Sequence, residues 1–294
     1  MNINLFMTKT EHNPKDTVYT TVGHFLHAAS LMLSRINIPS AHLDSLLLLE
    51  DELDKDRAYL LAHPETIITP IHLLRLQQNL LRRARHEPIA YIRGHAPFYG
   101  RIFQVTQDTL IPRPESEDLI NLLVDQLRRD CHDTTVLRIA DIGTGTGCLG
   151  ITAALELQSR YIDLYDNEQR ALKVAKKNAR AHAIDPRYYC ENLLNAATYR
   201  HYDIVLANLP YVPDNDHVNQ DATFEPASAI FGGSDGLELY RLFWEQLASL
   251  NYCPRYILTE SYVVQHQKLA IYAEQNGFQL SRVKNLAQLF TLNQ

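Results

Sequence analysis

Cysteine is scarce in this 294-residue chain, and its four cysteines are far apart. They form no CxxC pair and have no metal-ligand spacing: Cys131, Cys148, Cys190 and Cys253. This pattern predicts reduced thiols in a cytoplasmic protein. The thirteen histidines show no HExxH motif, and no metal site is predicted.

The sequence also has no long apolar run and no excess of basic residues. No segment reaches 18 consecutive apolar residues, and the N-terminus has no basic stretch followed by an apolar run, so we expect neither membrane insertion nor export. A formal net charge of −6 gives no general reason to expect stable binding of nucleic acid. With 46% hydrophobic residues, the chain can bury a sizeable core, and its length suggests two domains.

The hydrophobic pattern changes twice along the chain. Up to about residue 85, apolar residues recur at helical spacing, which predicts a small all-helical domain over residues 1–85. Glycines, prolines and the short runs AYIRG and IFQVT predict a β-hairpin linker over residues 86–115. Strands and helices alternate over residues 116–294, which is typical of an α/β domain with a mostly parallel sheet covered by helices.

The segment ADIGTGTGCLGI, residues 140–151, is the strongest local signal. Three alternating glycines follow a predicted strand and open a predicted helix: Gly143, Gly145 and Gly147. A backbone of this kind can approach a ligand closely, although a plain tight turn would show the same pattern. Asp166 ends the next predicted strand. Its spacing from Asp141 along the sequence is close to the spacing at which an acid meets the ribose hydroxyls in doubly wound folds. Asp166 would also serve as a cap for the following helix.

The glycine spacing distinguishes between cofactors. Dinucleotide folds carry G-x-G-x-x-G and receive a pyrophosphate, whereas here Asp141 stands two residues before the first glycine of G-T-G-T-G. That acid would repel phosphate but would suit an ammonium group, such as the one in S-adenosylmethionine. The order D-x-G-x-G-x-G, an acid ending the second strand and N-x-P-Y ending the fourth is similar to the class I methyltransferases, whose domain is Rossmann-like.

A closer resemblance extends from the helical region to about Arg241. The stretches EPIAYIRGHAPFYGRIFQVTQDTLIPRPESE, DIGTGTG, NLPYVP and FEPASAIFGGSDGLELYR resemble the protein-(glutamine-N5) methyltransferases that act on bacterial peptide chain release factors. The resemblance implies a helical substrate-recognition domain, a hairpin linker and a methyltransferase domain that uses S-adenosylmethionine. The cofactor-binding residues it predicts are Asp141, Gly143, Thr144, Gly145, Thr146, Gly147, Asp166, Asn192, Leu193 and Asn208.

The same resemblance implies roles for the segment NLPY. The side-chain oxygen of Asn208 and the carbonyl of Leu209 would accept both N–H groups of the substrate glutamine, and Tyr211 would pack against its planar amide. The predicted catalytic residues are therefore Asn208, Leu209, Pro210 and Tyr211. The same residues also fit purely structural roles: Asn208 as a turn residue, Pro210 as the end of a strand and Tyr211 as a core aromatic. The family usually has proline at position 209 and an acid at position 192, where this chain has leucine and asparagine.

These observations predict an enzyme that methylates a glutamine of a release factor. The release factor is its predicted protein partner, and the enzyme is expected to be a cytoplasmic monomer. Three alternatives stay open. One is methylation of a glutamine in a ribosomal protein, although the sequence PESE after IPR favours the release factor. Another is adenine-N6 methylation of nucleic acid, which calls for a basic groove with an aromatic platform. The third is a module that binds the cofactor without turnover.

Overall fold

The structure, a computed structural model, describes residues 20–130, 133–195 and 200–293. Its internal contacts divide the chain into two units between Arg93 and Gly94. Residues 86–93 of the expected linker thus group with the first unit, and residues 94–115 group with the second. The division into domains at residues 85 and 115 stays a prediction.

The first unit is a helical bundle with one short pair of strands. Its elements are β1 (Thr20–Thr21), α1 (Val22–Ser34), α2 (Ala41–Leu53), α3 (Arg57–Ala62), β2 (Ile67–Ile68), α4 (Pro70–Arg83) and α5 (Ile89–Arg93). Strands β1 and β2 pair antiparallel. Phe25, Leu49 and Leu76 are completely buried between the helices. A buried ion pair joins α4 to α2, since Arg83 Nε lies 2.7 Å from Asp44 Oδ2.

One short run predicted as extended is helical. The residues of AYIR lie in α5, because Pro88 starts a helical turn there: its carbonyl accepts the N–H groups of Tyr91 and Ile92 at 3.0 and 3.2 Å. Arg93, at the end of α5, makes a bidentate interaction with Asp51: its Nε donates to Oδ2 at 2.7 Å, and its Nη2 donates to Oδ1 at 2.8 Å. The prediction that this run forms a strand of the hairpin was wrong.

The second unit begins with a hairpin and continues as alternating helices and strands. Its elements are β3 (His95–Phe98), β4 (Arg101–Gln104), α6 (Glu117–Asp130), β5 (Arg138–Ile142), α7 (Cys148–Leu157), β6 (Tyr161–Asp166), α8 (Gln169–Ala181), β7 (Arg187–Cys190), β8 (Ile204–Ala207), α9 (Glu238–Ala248), β9 (Tyr256–Glu260), α10 (His266–Gln275), β10 (Phe278–Lys284) and β11 (Ala287–Leu292). The hairpin is the antiparallel pair β3–β4.

Seven strands form one mixed sheet in the order β10-β11-β9-β8-β5-β6-β7. Strands β9, β8, β5, β6 and β7 pair in parallel, and β11 is antiparallel to both of its neighbours. Alternate residues of each strand point to opposite faces, so Ile139 belongs to the core shared with α6, α7 and α8. Ala140 and Ile142 belong to the core shared with α9 and α10. The sheet is therefore buried on both faces, as parallel sheets require.

The final hairpin turns at an asparagine. Between β10 and β11, Asn285 adopts a φ of +51°, a conformation that asparagine tolerates better than most residues. This asparagine therefore supplies the positive φ that a glycine often supplies in such a turn.

Two predictions from the sequence concern reduced cysteines and membrane insertion. Cys148, Cys190 and Cys253 are free thiols, and Cys131 lies outside the described residues. No helix in the described part of the chain is both long enough and apolar enough to cross a bilayer.

Candidate active site

The candidate site lies at the carboxyl ends of the parallel strands, where the strand order reverses. From β5 the chain moves to β6 and β7 on one side, whereas β8 and β9 lie on the other side of β5. Loops after neighbouring strands diverge at such a point and leave a crevice, where ligands bind in open α/β sheets. The predicted site residues follow four of these strands and meet at this edge.

The three glycines after β5 have positive φ angles but different surroundings. Gly147, with φ +81°, is tightly packed, because a Cβ there would lie 2.8 Å from Ile151 Cδ1. Gly145, with φ +54°, faces open space, because a Cβ there would meet nothing within 4 Å. Gly143 and Gly145 line a cavity. Gly147 therefore serves helix packing, whereas Gly145 leaves room for a ligand.

Asp141 lies beneath the glycine loop. It is 1% exposed, and its Oδ2 accepts hydrogen bonds from Thr144 Oγ1 at 2.6 Å and from Gly150 N at 2.9 Å. Thr146 is also buried, and its hydroxyl accepts from the N–H of Cys148 at 3.3 Å. Of the predicted cofactor-binding residues, four shape the loop without lining the cavity: Asp141, Thr144, Thr146 and Gly147.

Burial of Asp141 should make the stability of the fold depend on pH. Burial raises the pKa of Asp141 from 3.8 to about 6, against the opposing effect of its hydrogen bonds from Thr144 and Gly150. A raised pKa means that the stability contributed by the neutral carboxyl is fully present below about pH 4 and is lost as pH rises through about 6. The difference between the two pKa values corresponds to about 3 kcal/mol.

The Asp141→Asn variant carries an amide that does not titrate at this position, and it therefore serves as the reference. We expect the free energy of unfolding of the parent, relative to this variant, to fall by about 3 kcal/mol between about pH 4 and pH 7. Chemical denaturation of both proteins across that range measures the difference. A difference that stays constant would show that Asp141 titrates at its ordinary pKa.

The first cavity is lined by all six of the other predicted cofactor residues. Its walls come from the loops after β5, β6, β7 and β8 and include Gly143, Gly145, Asp166, Asn192, Leu193 and Asn208. Asp166 Oδ2 accepts from Gly145 N at 2.8 Å, and its Oδ1 accepts from Glu168 N at 2.9 Å. Each oxygen keeps a second lone pair for a ligand hydroxyl. Burial raises the pKa of Asp166, and the two backbone hydrogen bonds oppose that shift.

A second cavity adjoins the first across the NLPY segment. It is lined by Arg113, Tyr211, Glu260 and Tyr262, together with residues of the loop from 217 to 230. Five residues line both cavities: Leu110, Asn208, Leu209, Pro210 and Ala229. Most of the predicted catalytic segment therefore forms a wall that is common to both cavities.

Hydrogen bonds hold the NLPY segment in place. Asn208 Nδ2 donates to Ser116 Oγ at 3.0 Å, and the N–H of Leu209 donates to the hydroxyl of Tyr240 at 3.2 Å. A proline at position 209 has no N–H and could not make the second bond. In this chain, Tyr240 thus anchors a backbone that a proline would otherwise restrict. The buried hydroxyl of Tyr240 also donates to the carbonyl of Glu260 at 2.6 Å.

Glu260 is a buried acid beside the catalytic segment that the sequence prediction missed. It is 1% exposed, ends β9, lines the second cavity and accepts the hydroxyl of Tyr211 at 3.0 Å through Oε1. Burial is the main cause of the raised pKa of Glu260. The run YILTE places this acid at the end of a strand, as YIDLYD places Asp166, and that shared position is the signal that could have revealed it.

The loop that follows β4 also contributes residues that the prediction missed. Asp108, Thr109 and Leu110 line the first cavity. Arg113 Nη2 donates to the nearly buried Glu225 Oε1 at 2.6 Å, and Glu225 Oε2 accepts the N–H of Ile111 at 3.0 Å. This ion pair connects the segment IPRPES with the segment FEPASA. Within the described ranges, no group of three metal-ligating side chains occurs.

Comparison with known proteins places these features in a family. The family profile described as "PrmC N-terminal domain" matches residues 24–94, and the one described as "Methyltransferase small domain" matches residues 119–229. A "Release factor glutamine methyltransferase" of Coxiella burnetii is 37% identical over 237 residues, which cover 80% of this chain and 84% of the relative. This chain belongs to the release factor glutamine methyltransferase family. The resemblance inferred from the motifs is confirmed.

Other relatives agree with this assignment. A release factor glutamine methyltransferase of Koribacter versatilis is 35% identical and covers 77% of this chain and 82% of its own length. The solved catalytic domain of hMettl16, in complex with MAT2A 3′UTR hairpin 1, is 14% identical, with a TM-score of 0.50 over 76% of this chain and 81% of that one. At that identity the similarity shows the fold alone. The predicted class I methyltransferase fold is confirmed.

Proposed function

We propose that this chain transfers the methyl group of S-adenosylmethionine to the side-chain nitrogen, N5, of a glutamine in a peptide chain release factor. The observation that carries this proposal is the wall shared by two cavities, in which Asn208, Leu209 and Pro210 separate a cavity edged by glycines and Asp166 from one lined by Tyr211. Methyl transfer brings a cofactor and an acceptor together at one point, and a segment that lines two adjoining cavities supports such an arrangement.

The chemistry that the wall must perform is mainly positioning. A carboxamide nitrogen is a weak nucleophile, because its lone pair is delocalised into the carbonyl. Asn208 Oδ1 and the carbonyl of Leu209 accept the two N–H groups of the glutamine, and Tyr211 packs against its plane. These contacts fix the direction of the nitrogen and stabilise the positive charge that it gains until it gives up one of its two protons to water, and both effects lower the barrier.

The first cavity supplies groups that suit the proposed cofactor. Bound S-adenosylmethionine provides an electrophilic methyl group on a sulfonium. Asp166 would hold the ribose hydroxyls, Gly143 and Gly145 would allow the backbone to approach the cofactor closely, and Asn192 and Leu193 would hold the adenine. Asn192 replaces the acid common in the family and would accept the exocyclic amine through its side-chain oxygen.

Replacing Asp166 should weaken the binding of the cofactor while the protein stays folded. Asp166→Ala removes two charged acceptors, so we expect S-adenosylmethionine to bind about 1–3 kcal/mol more weakly by calorimetry. Glu168→Ala is the matched control, because Glu168 is an exposed acid that lines the same cavity. Equal losses in the two variants would indicate a general charge effect and would exclude a specific ribose contact.

The choice of partner is tested by supplying the acceptors separately. We expect labelled methyl groups from S-adenosylmethionine to be transferred to an intact bacterial release factor. Ribosomal protein and ribosomal RNA, supplied at the same concentration, should stay unlabelled. Transfer to the ribosomal protein alone would replace the proposed substrate, and transfer to RNA alone would favour the adenine alternative. Cofactor binding without any transfer would favour a binding module.

Three further properties belong to the proposal. The enzyme acts as a cytoplasmic monomer, and it forms no stable complex with nucleic acid. The acidic balance of the chain, with a formal charge of −6, supports the last of these.

A further inference from the structure

Ser116 and Glu260 approach the side chain of Asn208 from two different elements. Ser116 ends the short 3-10 turn Pro114–Ser116 and is 3% exposed, whereas Glu260 ends β9 and is 1% exposed. Asn208 Nδ2 donates to Ser116 Oγ at 3.0 Å. Glu260 Oε1 accepts from Tyr211, and its buried Oε2 has no hydrogen-bond partner among the described residues.

These neighbours favour one orientation of the Asn208 side-chain amide over the other. One end of the amide donates and the other accepts, whereas a carboxylate only accepts. The hydroxyl of Tyr211, which donates to Glu260, and the nearby polar groups of Ser116 and Asn208 oppose the increase that burial causes in the pKa of Glu260. If Asn208 were turned over, the Ser116 hydroxyl would have to turn and donate to its oxygen, and that oxygen would also approach the carboxylate of Glu260, which can only accept. Such an arrangement costs about 1–3 kcal/mol.

We propose that Ser116 and Glu260 are positioning residues that fix the orientation of the Asn208 amide, and that this orientation makes the site prefer glutamine over glutamate. The proposal rests on the function proposed above. With Nδ2 directed to Ser116, Oδ1 is left to accept an N–H of the substrate glutamine. A glutamate carboxylate would bring only acceptors to Oδ1 and would be repelled. Were the amide free to turn, Nδ2 would face the substrate and would suit a carboxylate.

The test uses the full-length enzyme and two forms of one release factor. The first form is the normal substrate, and the second carries glutamate in place of the methylated glutamine and serves as a competitive inhibitor. In the Ser116→Ala variant we expect the inhibition constant of the glutamate form, relative to KM for the normal substrate, to fall about tenfold. This is the free-energy scale of one hydrogen bond. Turnover should fall by a similar factor, while the affinity for S-adenosylmethionine stays unchanged.

Three further variants separate orientation from packing. Ser116→Thr keeps the hydroxyl and should restore the parental ratio. Glu260→Gln removes the acceptor-only carboxylate but keeps an oxygen for Tyr211, so it should shift the ratio in the same direction as Ser116→Ala. Ser159→Ala is the matched control: Ser159 is equally buried and donates to the carbonyl of Leu137 at 2.6 Å, at the amino end of β6 and away from the site.

The outcomes distinguish this inference from the proposed function. If neither Ser116→Ala nor Glu260→Gln changes the ratio of the inhibition constant to KM, the positioning role is wrong, even when the parent methylates the release factor. A ratio that changes equally in Ser159→Ala would also overturn it. If the parent itself transfers no methyl group to the release factor, the proposed function fails, and this inference fails with it.

Discussion

Replacing Asn208 with alanine is expected to lower kcat by roughly 10²–10³, the effect of losing one preorganised hydrogen bond in a site from which water is excluded. The variant removes the oxygen that accepts the substrate N–H, and it leaves the glycine loop and Asp166 untouched. Although Asn208 also lines the first cavity, the contacts of the glycine loop and Asp166 remain, so affinity for S-adenosylmethionine should fall far less than kcat. Single-turnover kinetics with a release factor, combined with calorimetry of the cofactor, measure the two effects separately.

The control for this variant is an asparagine far from the site. Asn276, at the end of α10, donates from its side chain to the carbonyl of Tyr272 at 2.7 Å, and Asn276→Ala should keep the parental kcat. An Asn208→Ala variant that methylates a release factor at the parental rate would remove the NLPY segment from the mechanism. Selective loss of RNA methylation in that variant would instead favour the adenine alternative.

Replacing Gly145 with valine is expected to abolish binding of S-adenosylmethionine. The φ of +54° is unfavourable for a β-branched residue, and the added side chain would project into the space that the glycine leaves open in the first cavity. Calorimetry should detect no binding, and circular dichroism should show that the protein is folded.

Gly277→Val separates backbone strain from obstruction of the cavity. Gly277 has a φ of +80° and, like Gly145, has nothing within 4 Å of a Cβ position, but it lies between α10 and β10. We expect this variant to lose some stability and to bind the cofactor normally. If Gly145→Val retained binding, the glycine loop would not be the cofactor site.

The sequence predicted the architecture well wherever a periodic pattern or a turn residue dictated the local structure. Alternating strands and helices after residue 116 became a sheet buried on both faces, and the glycines of ADIGTGTG adopted the positive φ angles expected of a tight loop. The prediction was wrong for AYIR, because a short apolar run is compatible with either a strand or a helix. There, Pro88 and the pairing of Arg93 with Asp51 favour the helix.

The site was harder to predict wherever it depends on contacts between distant parts of the chain. Asn208 directly follows β8 and Asp166 ends β6, so both could be recognised locally. The pairing of Asn208 with Ser116, which is 92 residues away, could not be read from local spacing. The same holds for the separation of Asp141 from the cavity wall, because a loop can either expose or cover the acid that precedes it. Glu260 was missed although it ends a strand, because no glycine or turn motif follows it.

The most direct test of the central claim is to locate the methyl group on the product. A bacterial release factor should be incubated with this enzyme and S-adenosylmethionine, and then digested and sequenced by tandem mass spectrometry. The account predicts a single added methyl group on the side-chain nitrogen of one glutamine, and no such product with the Asn208→Ala variant over the same time. A methyl group on any other residue type, or an unmodified release factor beside methylated RNA, would contradict it.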